Sequence, residues 1–316
     1  MNSAVQKTVT KIASLEIQGA TQITRVILDA LQSESNQLLK KTKTQFLSEI
    51  RKSGKALAEA RPTEPLSRNS VQFVLHYLEN NKDGLSVPEL VKLLKKACHL
   101  FLVLLKYHDQ KIAEAGARLI KPNMKVFTHC HSSTVEHIIA EASKHSKMPR
   151  VFCTETRPLF QGRTTAKNLL KQKIDVTMVA DSAAAFLISR TSGREVMVDI
   201  AFLGADSVTS GGSVINKVGS FGIALVANHE KIPVYVAASL LKTDPETFIS
   251  KYIGIELRDR KEIWPNGPKG LKIINFAFDR IPFKFIKGII CEFGVIKPRD
   301  VAYLVQKHYP WIFKNF

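Results

Sequence analysis

Apolar positions follow one period in the first third of the chain and another afterwards. Within residues 20–39, Ile23, Val26, Ile27, Leu28, Leu31, Leu38 and Leu39 fall close to the spacing of one helix face. Residues 71–78 repeat that pattern, and Asn81-Lys-Asp-Gly84 closes it as a turn. Ser86-Val-Pro-Glu89 reads as a helix start. Serine caps, proline is tolerated in the first turn, and glutamate reaches back. The helix that follows runs through Leu90, Leu93 and Leu94 toward Leu119, so residues 1 to about 120 are expected to be helical. Lys121-Pro-Asn123 marks a boundary, after which short apolar runs alternate with amphipathic stretches. The spacing predicts strands over 125–128, 150–154, 175–179, 196–203 and 233–238. Helices are predicted over 134–146, 164–172, 182–188 and 213–228. Strands alternating with helices specify a parallel sheet covered on both faces, and right-handed crossovers make it doubly wound.

The chain has 316 residues, which leaves room for two domains. The expected fold class is α/β: a helical N-terminal domain over residues 1–120, then a doubly wound, mainly parallel-sheet (Rossmann-like) domain over residues 121–316. No G-x-G-x-x-G follows the first strand and no G-x-x-x-x-G-K-[ST] occurs, so dinucleotide and nucleoside-triphosphate fingerprints are absent. No apolar run approaches the roughly 18 residues of a membrane span. The N-terminus lacks a signal-peptide pattern, so a cytoplasmic protein is expected. The four cysteines are scattered without a C-x-x-C pair, which argues against structural zinc and against disulfides. A net charge of +18 suits phosphorylated partners, nucleic acid among them. The lysines are nevertheless spread evenly, without the aromatic-basic interleaving of RNA readers, and a lysine-rich surface is the simpler account.

Chemistry-bearing residues gather where strands end. Asp206 stands just past the strand over 196–203, before Gly211-Gly212, and Asn216 and Lys217 are expected in the first turn of the next helix. In open α/β sheets ligands bind beyond the C-terminal ends of strands, and helix N-termini accept phosphate. Cys130, in Thr128-His-Cys-His-Ser132, stands at another strand end. A helix start there should lower its thiol pKa, and Ser132, Ser133 and Thr134 offer hydroxyls and N–H groups to a phosphate. His129 and His131 should point away from Cys130 if the strand continues, making a poor metal chelate. Arg157 and Gln161 follow a third strand, and Lys242 a fourth. Two N-terminal motifs, Glu16-Ile-Gln-Gly-Ala-Thr21 and Ala60-Arg-Pro-Thr-Glu-Pro65, place polar groups at helix ends.

Together these motifs, with Thr154-Glu-Thr-Arg-Pro-Leu-Phe-Gln-Gly162, Ala180-Asp-Ser-Ala183, Gly204-Ala-Asp-Ser207, Val214-Ile-Asn-Lys217 and Phe276-Ala-Phe-Asp279, carry a resemblance. The chain resembles the family of ribose 1,5-bisphosphate isomerases, methylthioribose 1-phosphate isomerases and regulatory subunits of translation initiation factor 2B. The isomerases use a cysteine and an aspartate, kept here as Cys130 and Asp206. The resemblance is nearest to the archaeal ribose 1,5-bisphosphate isomerases of nucleotide (AMP) salvage. It implies substrate contacts from Gln18, Gly19, Ala20, Thr21, Arg61, Ser132, Ser133, Thr134, Asn216, Lys217 and Lys242, with no metal or organic cofactor. It also implies a phosphorylated pentose as substrate and a homo-oligomer, a dimer or ring of dimers, with no need for membrane or nucleic acid. The isomerases typically read Arg-Gly-Ala where this chain has Gln18-Gly19-Ala20, the initiation-factor form. That loss removes a bidentate phosphate contact. The alternatives are therefore a non-catalytic regulatory subunit and a methylthioribose 1-phosphate isomerase.

Overall fold

Helices fill the first third of the chain, and a parallel sheet with its helices fills most of the rest. The computed structural model describes residues 3–17, 19–251 and 254–314. Its main elements begin with α1 (Ser3–Ala13), α2 (Ala20–Gln37), α3 (Lys43–Glu59), α4 (Pro65–Asn81) and α5 (Val87–Ala117). There follow β1 (Lys125–Thr128), α6 (Ser133–Lys144), β2 (Arg150–Thr154), α7 (Gly162–Lys171), β3 (Asp175–Val179), α8 (Ala184–Ile188) and β4 (Ile200–Leu203). Next come β5 (Ser207–Val208), β6 (Val214–Lys217), α9 (Ser220–His229) and β7 (Val234–Ala237). The chain ends with β8 (Leu257–Arg258), β9 (Asn275–Phe276), β10 (Phe278–Ile281), β11 (Gly288–Cys291), β12 (Gly294–Ile296) and α10 (Val301–His308). Two units divide these elements. One holds Met1–Tyr107, Leu241–Pro245 and Tyr303–Phe316, and the other His108–Leu240 and Glu246–Ala302.

In the helical unit, Ile23, Ile27 and Leu31 recur at four-residue steps along α2 and join Val5, Ile12, Leu57 and Val71 in one core. Local signals start the helices. Thr42 and Gln45 form a reciprocal capping box on α3. The Ser86 N–H donates to Glu89 Oε2 at 2.7 Å before α5, as the sequence predicts. Gly54 lets α3 approach α4, since a Cβ there would meet Val71 Cγ1 at 2.8 Å. Asn69 of α4 holds the returning segment, donating from Nδ2 to the carbonyls of Leu241 (2.8 Å) and Thr243 (2.9 Å).

The second unit is built on a seven-stranded sheet of order β12-β11-β7-β4-β1-β2-β3. Every neighbouring pair is parallel except β11 with β12. Central strands of a parallel sheet are covered on both faces, and β4 is buried at all four positions. Phe127, Phe152 and Phe202 are fully buried, each contributing about 1.5–3 kcal/mol. Strand order reverses at β1. β2 and β3 extend to one side, β4 and β7 to the other, so the crevice between β1 and β4 is the switch point where ligands of such sheets bind. Among the described residues no helix is long and apolar enough to cross a membrane.

Two elements differ from expectation. The strand expected over 196–203 starts only at Ile200. The Asp199 carboxylate accepts from the Lys125 N–H at 2.7 Å and fastens the strand's start to β1. The helix expected over 213–228 starts at Ser220, and residues 214–217 form β6 instead. β6 is the middle strand of a separate antiparallel sheet, β10-β6-β5. Its β-branched Val214 and Ile215 suit a strand. Gly219, at φ 105°, then breaks the strand, and Asp279 of β10 caps α9 through the N–H groups of Gly219 (2.7 Å) and Phe221 (3.0 Å). Asn216 and Lys217 therefore project from a strand and not from a first helical turn.

Candidate active site

Strand β1 stops at Thr128, and Cys130 takes a left-handed φ of 68°. A non-glycine residue holds that conformation only where its surroundings fix it. Here the Cys130 N–H donates to Thr156 Oγ1 at 3.0 Å, and the Cys130 carbonyl accepts from Thr165 Oγ1 at 3.1 Å. The thiol, with only 8 % of the residue exposed, lies 3.8 Å from Gln161 Oε1. The turn cancels the alternation expected of the two histidines. His129 is buried, with Nδ1 2.6 Å from Thr154 Oγ1 and Nε2 2.9 Å from the Val218 carbonyl oxygen. His131 faces the other way, with Nδ1 2.9 Å from Glu136 Oε1. These rings are held by separate partners and do not converge as a metal chelate.

The loop after β2 supports that turn. Asp181 accepts from the N–H groups of Thr156 (2.8 Å) and Arg157 (2.6 Å). Gly162 permits close return of the loop, because a Cβ there would fall 1.8 Å from the Thr154 carbonyl oxygen. The loop after β4 packs equally tightly. A Cβ on Gly204 would stand 2.9 Å from both Cβ and Oγ of Ser132. Ser132 caps α6, its side chain accepting from the Val135 N–H at 3.4 Å. Ser133 is exposed and Thr134 partly so in the same first turn. Asp206 follows at the start of the small sheet, half-buried, its N–H donating to the Ile215 carbonyl at 3.0 Å.

Asn216 and Lys217 are buried, with 5 % and 7 % of each exposed. Asn216 Nδ2 donates to Ser220 Oγ at 2.8 Å, which fixes the amide. The Lys217 ammonium sits 4.9 Å from the centre of the Phe278 ring and makes no ion pair among the described residues. A buried cation stays charged at a cost unless an anion or ring faces it.

Asp206 and Lys217 lie near enough for their charges to act on Cys130. Burial pushes the Cys130 thiol up to about 12. The Lys217 ammonium and a backbone N–H oppose that shift, while the charges of Asp206 and Asp181 add to it. The expectation that a helix start would lower this thiol's pKa is therefore reversed, because desolvation outweighs the helix end. Burial likewise lowers the pKa of His129. Thr156, Thr165 and Asp181 shape the site, yet the sequence offered only polar residues near strand ends as a signal for them.

The other candidates belong to the helical unit. Gly19 (φ 85°) is the N-cap of α2, Ala20 its first, buried residue, and Thr21 is exposed. Arg61 is buried, 3.6 Å from Glu64 Oε1, and Lys242 ends a short 3-10 turn, partly exposed. Gln18 lies outside the described residues.

The chain is 35% identical over 314 residues to the ribose 1,5-bisphosphate isomerase of Methanocaldococcus jannaschii, covering 98% of this chain and 97% of that one. It is 31% identical to the methylthioribose-1-phosphate isomerase of Desulforamulus reducens, covering 91% and 85%. Its fold matches the crystal structure of Pyrococcus horikoshii OT3 translation initiation factor eIF-2B at a TM-score of 0.79, with 26% identity over 95% of this chain and 100% of that one. The profile of the initiation factor 2 subunit family matches residues 16–298. The switch-point sheet, its loops and this match over most of the length agree: the chain belongs to the initiation factor 2 subunit family.

Proposed function

We propose that this protein is an aldose–ketose isomerase that converts ribose 1,5-bisphosphate to ribulose 1,5-bisphosphate. The observation that carries the reading is the electrostatic grouping of Cys130, Asp206 and Lys217 at the mouth of the β1–β4 crevice. Support also comes from full-length relatives at 32–35% identity named as that isomerase.

The 1-phosphate blocks simple opening of the sugar ring, so base and acid must act together. Burial and neighbouring carboxylates hold a proton on Cys130. Moving that proton from Sγ to the Asp206 carboxylate yields a thiolate base and a carboxylic acid. Sγ then takes the proton from C2, the bond from C1 to the ring oxygen breaks, and Asp206 protonates that oxygen. The product of this step is an enol between C1 and C2 that still carries the 1-phosphate. Protonation at C1, as the C2 hydroxyl becomes a carbonyl, completes the ketose. Lys217 faces a phosphate, and Asn216 a hydroxyl or phosphate oxygen, with Ser132, Ser133 and Thr134 around the N-terminus of α6. Gly19, Ala20, Thr21, Arg61 and Lys242, with Gln18, are proposed as further substrate contacts. The same reading carries two domains, residues 1–120 and 121–316, a homo-oligomer, and a cytoplasmic role in nucleotide salvage.

The test is turnover by the purified chain of ribose 1,5-bisphosphate and of methylthioribose 1-phosphate. Cys130→Ser and Asp206→Asn should each lower turnover of the bisphosphate by about 10²–10⁴-fold. Turnover of the methylthio sugar alone would assign the other isomerase activity. The Gln18-Gly19-Ala20 motif favours a second reading, a regulatory subunit that binds a sugar phosphate or nucleotide. That reading gains if neither sugar turns over while the chain binds an initiation factor.

A further inference from the structure

The His129 ring lies between two parts of the site. Its Nε2 is 2.9 Å from the Val218 carbonyl oxygen and its Nδ1 2.6 Å from the Thr154 hydroxyl. A carbonyl oxygen can only accept, so Nε2 carries a proton. Burial lowers the pKa of the ring and favours its neutral form, which then accepts at Nδ1. The Thr154 hydroxyl is thereby the donor to Nδ1. Its lone pair is left for the Thr156 hydroxyl, 3.2 Å away, whose oxygen accepts the Cys130 N–H at 3.0 Å. Every proton in the series is assigned, and all point the same way: from Cys130 through Thr156, Thr154 and His129 to Val218. One end is the left-handed backbone of the thiol, and the other is the residue that follows Lys217. Gly219 leaves room for the ring, since a Cβ there would come 3.2 Å from His129 Nε2.

We propose that His129 is a positioning residue that couples the Cys130 turn to the Lys217 strand through this one-way series of hydrogen bonds. The proton acceptor and the phosphate-binding ammonium are then set together. The kinetic meaning of the coupling rests on the isomerase reading; its geometry does not.

Asparagine and glutamine divide the two functions of the ring. An asparagine amide reproduces the position of Nδ1, and a glutamine amide that of Nε2. His129→Asn should keep the Thr154 end and release Val218, raising KM for ribose 1,5-bisphosphate about tenfold with kcat nearly unchanged. His129→Gln should do the reverse, lowering kcat about tenfold with KM nearly unchanged. Thr154→Val should repeat the His129→Gln pattern, and Thr154→Ser should restore wild-type values. Equal changes in both parameters across the variants, tracking Tm, would mean a merely structural histidine and overturn the coupling.

Two readouts need no turnover. NMR of the whole chain labelled with 15N-histidine should show His129 as the neutral Nε2–H tautomer near pH 7. Hydrogen exchange at the Cys130 amide should speed up at least tenfold in His129→Gln and Thr154→Val, but not in His129→Asn. A ring protonated at Nδ1, or unchanged Cys130 exchange in Thr154→Val, overturns the proposal whether or not the protein turns over a sugar bisphosphate. The tautomer of the unaltered protein decides the matter if the histidine variants fail to fold. Absence of wild-type turnover, with tautomer and exchange as expected, would instead remove the isomerase reading and leave the coupling in place.

Discussion

The turn that carries Cys130 and the strand that carries Lys217 are made in different ways. The turn is held by groups from the loop after the adjacent strand β2, namely Thr156 on its N–H and Gln161 near its thiol, with Thr165 of α7 on its carbonyl. Such loops recur at the same end of every parallel strand, so neighbours in the sheet supply the support. The strand of Lys217 depends on β10, some sixty residues further along, which pairs Phe278 with Lys217 and caps the following helix through Asp279. The difference teaches that the thiol's place follows from the sheet, whereas the ammonium's place needs a second, antiparallel sheet laid down beside it.

Substituting each side separately sharpens that contrast. After the Cys130 and Asp206 substitutions, the largest effect is expected from Lys217→Met, which keeps the length of the side chain and removes its charge. On the proposed phosphate role of Lys217, kcat/KM should fall by about 10–10²-fold, mostly through KM, as steady-state kinetics will read. The same variant relieves the thiol of its opposing cation, so Cys130 should titrate still higher, measurable by the pH dependence of its alkylation. An unchanged KM would separate Lys217 from the phosphate.

At Gly204, where the β4 loop meets Ser132, the effect is expected on stability and not on turnover. Gly204→Ala forces a Cβ to 2.9 Å from Ser132 Cβ and Oγ and should cost about 1–3 kcal/mol of stability in denaturant unfolding. Gly211→Ala, with nothing within 4 Å of the added Cβ, is the matched control and should unfold much as the parent does.

The smallest effect tests the antiparallel side. Burial raises Asp279 from 3.8 to about 6, against the pull of the Phe221 and Gly219 N–H groups. Between those values the folded chain holds a proton that the unfolded chain has released, so stability falls as pH rises from about 4 to 6. Below that window the carboxyl is protonated in both states and the contribution is complete. Asp279→Asn keeps an oxygen for the two N–H groups and should abolish this part of the slope in Tm against pH. A slope that persists unchanged would assign it to other groups.

These residues also show what the sequence could reveal. The positions of Cys130 and Asp206 past strand ends were legible because short apolar runs, Val126-Phe127 and Ile200-Ala-Phe-Leu203, precede them, and the strands over 125–128, 150–154 and 175–179 stand where the spacing put them. The start of α5 was legible from Ser86-Val-Pro-Glu89, four residues that carry their own local signal. Asn216 and Lys217 were placed on the wrong element. Val214, Ile215 and Val218 fit a helical stripe as well as a strand, and the pairing with 278–281 that decides between them lies far off in the chain. The thiol's raised pKa was illegible for a related reason. A helix start is written locally, while burial is the sum of neighbours from several loops. Thr154, Thr156 and Asp181 stood in motifs that carry the resemblance, but their supporting roles were not legible, since they depend on hydrogen bonds between separate strand ends.

The reversal of strand order at β1 has a consequence for how such a protein can diversify. The segments leaving β1 and β4 are braced by neighbouring loops and α7 and not by the strands' own ladder, so no strand has to move for a side chain in either to be replaced. A lineage can delete a reactive side chain from one segment while keeping the polar groups of the other. Chemistry can thus be traded for recognition, with the same architecture serving a catalyst in one descendant and a sensor in the next.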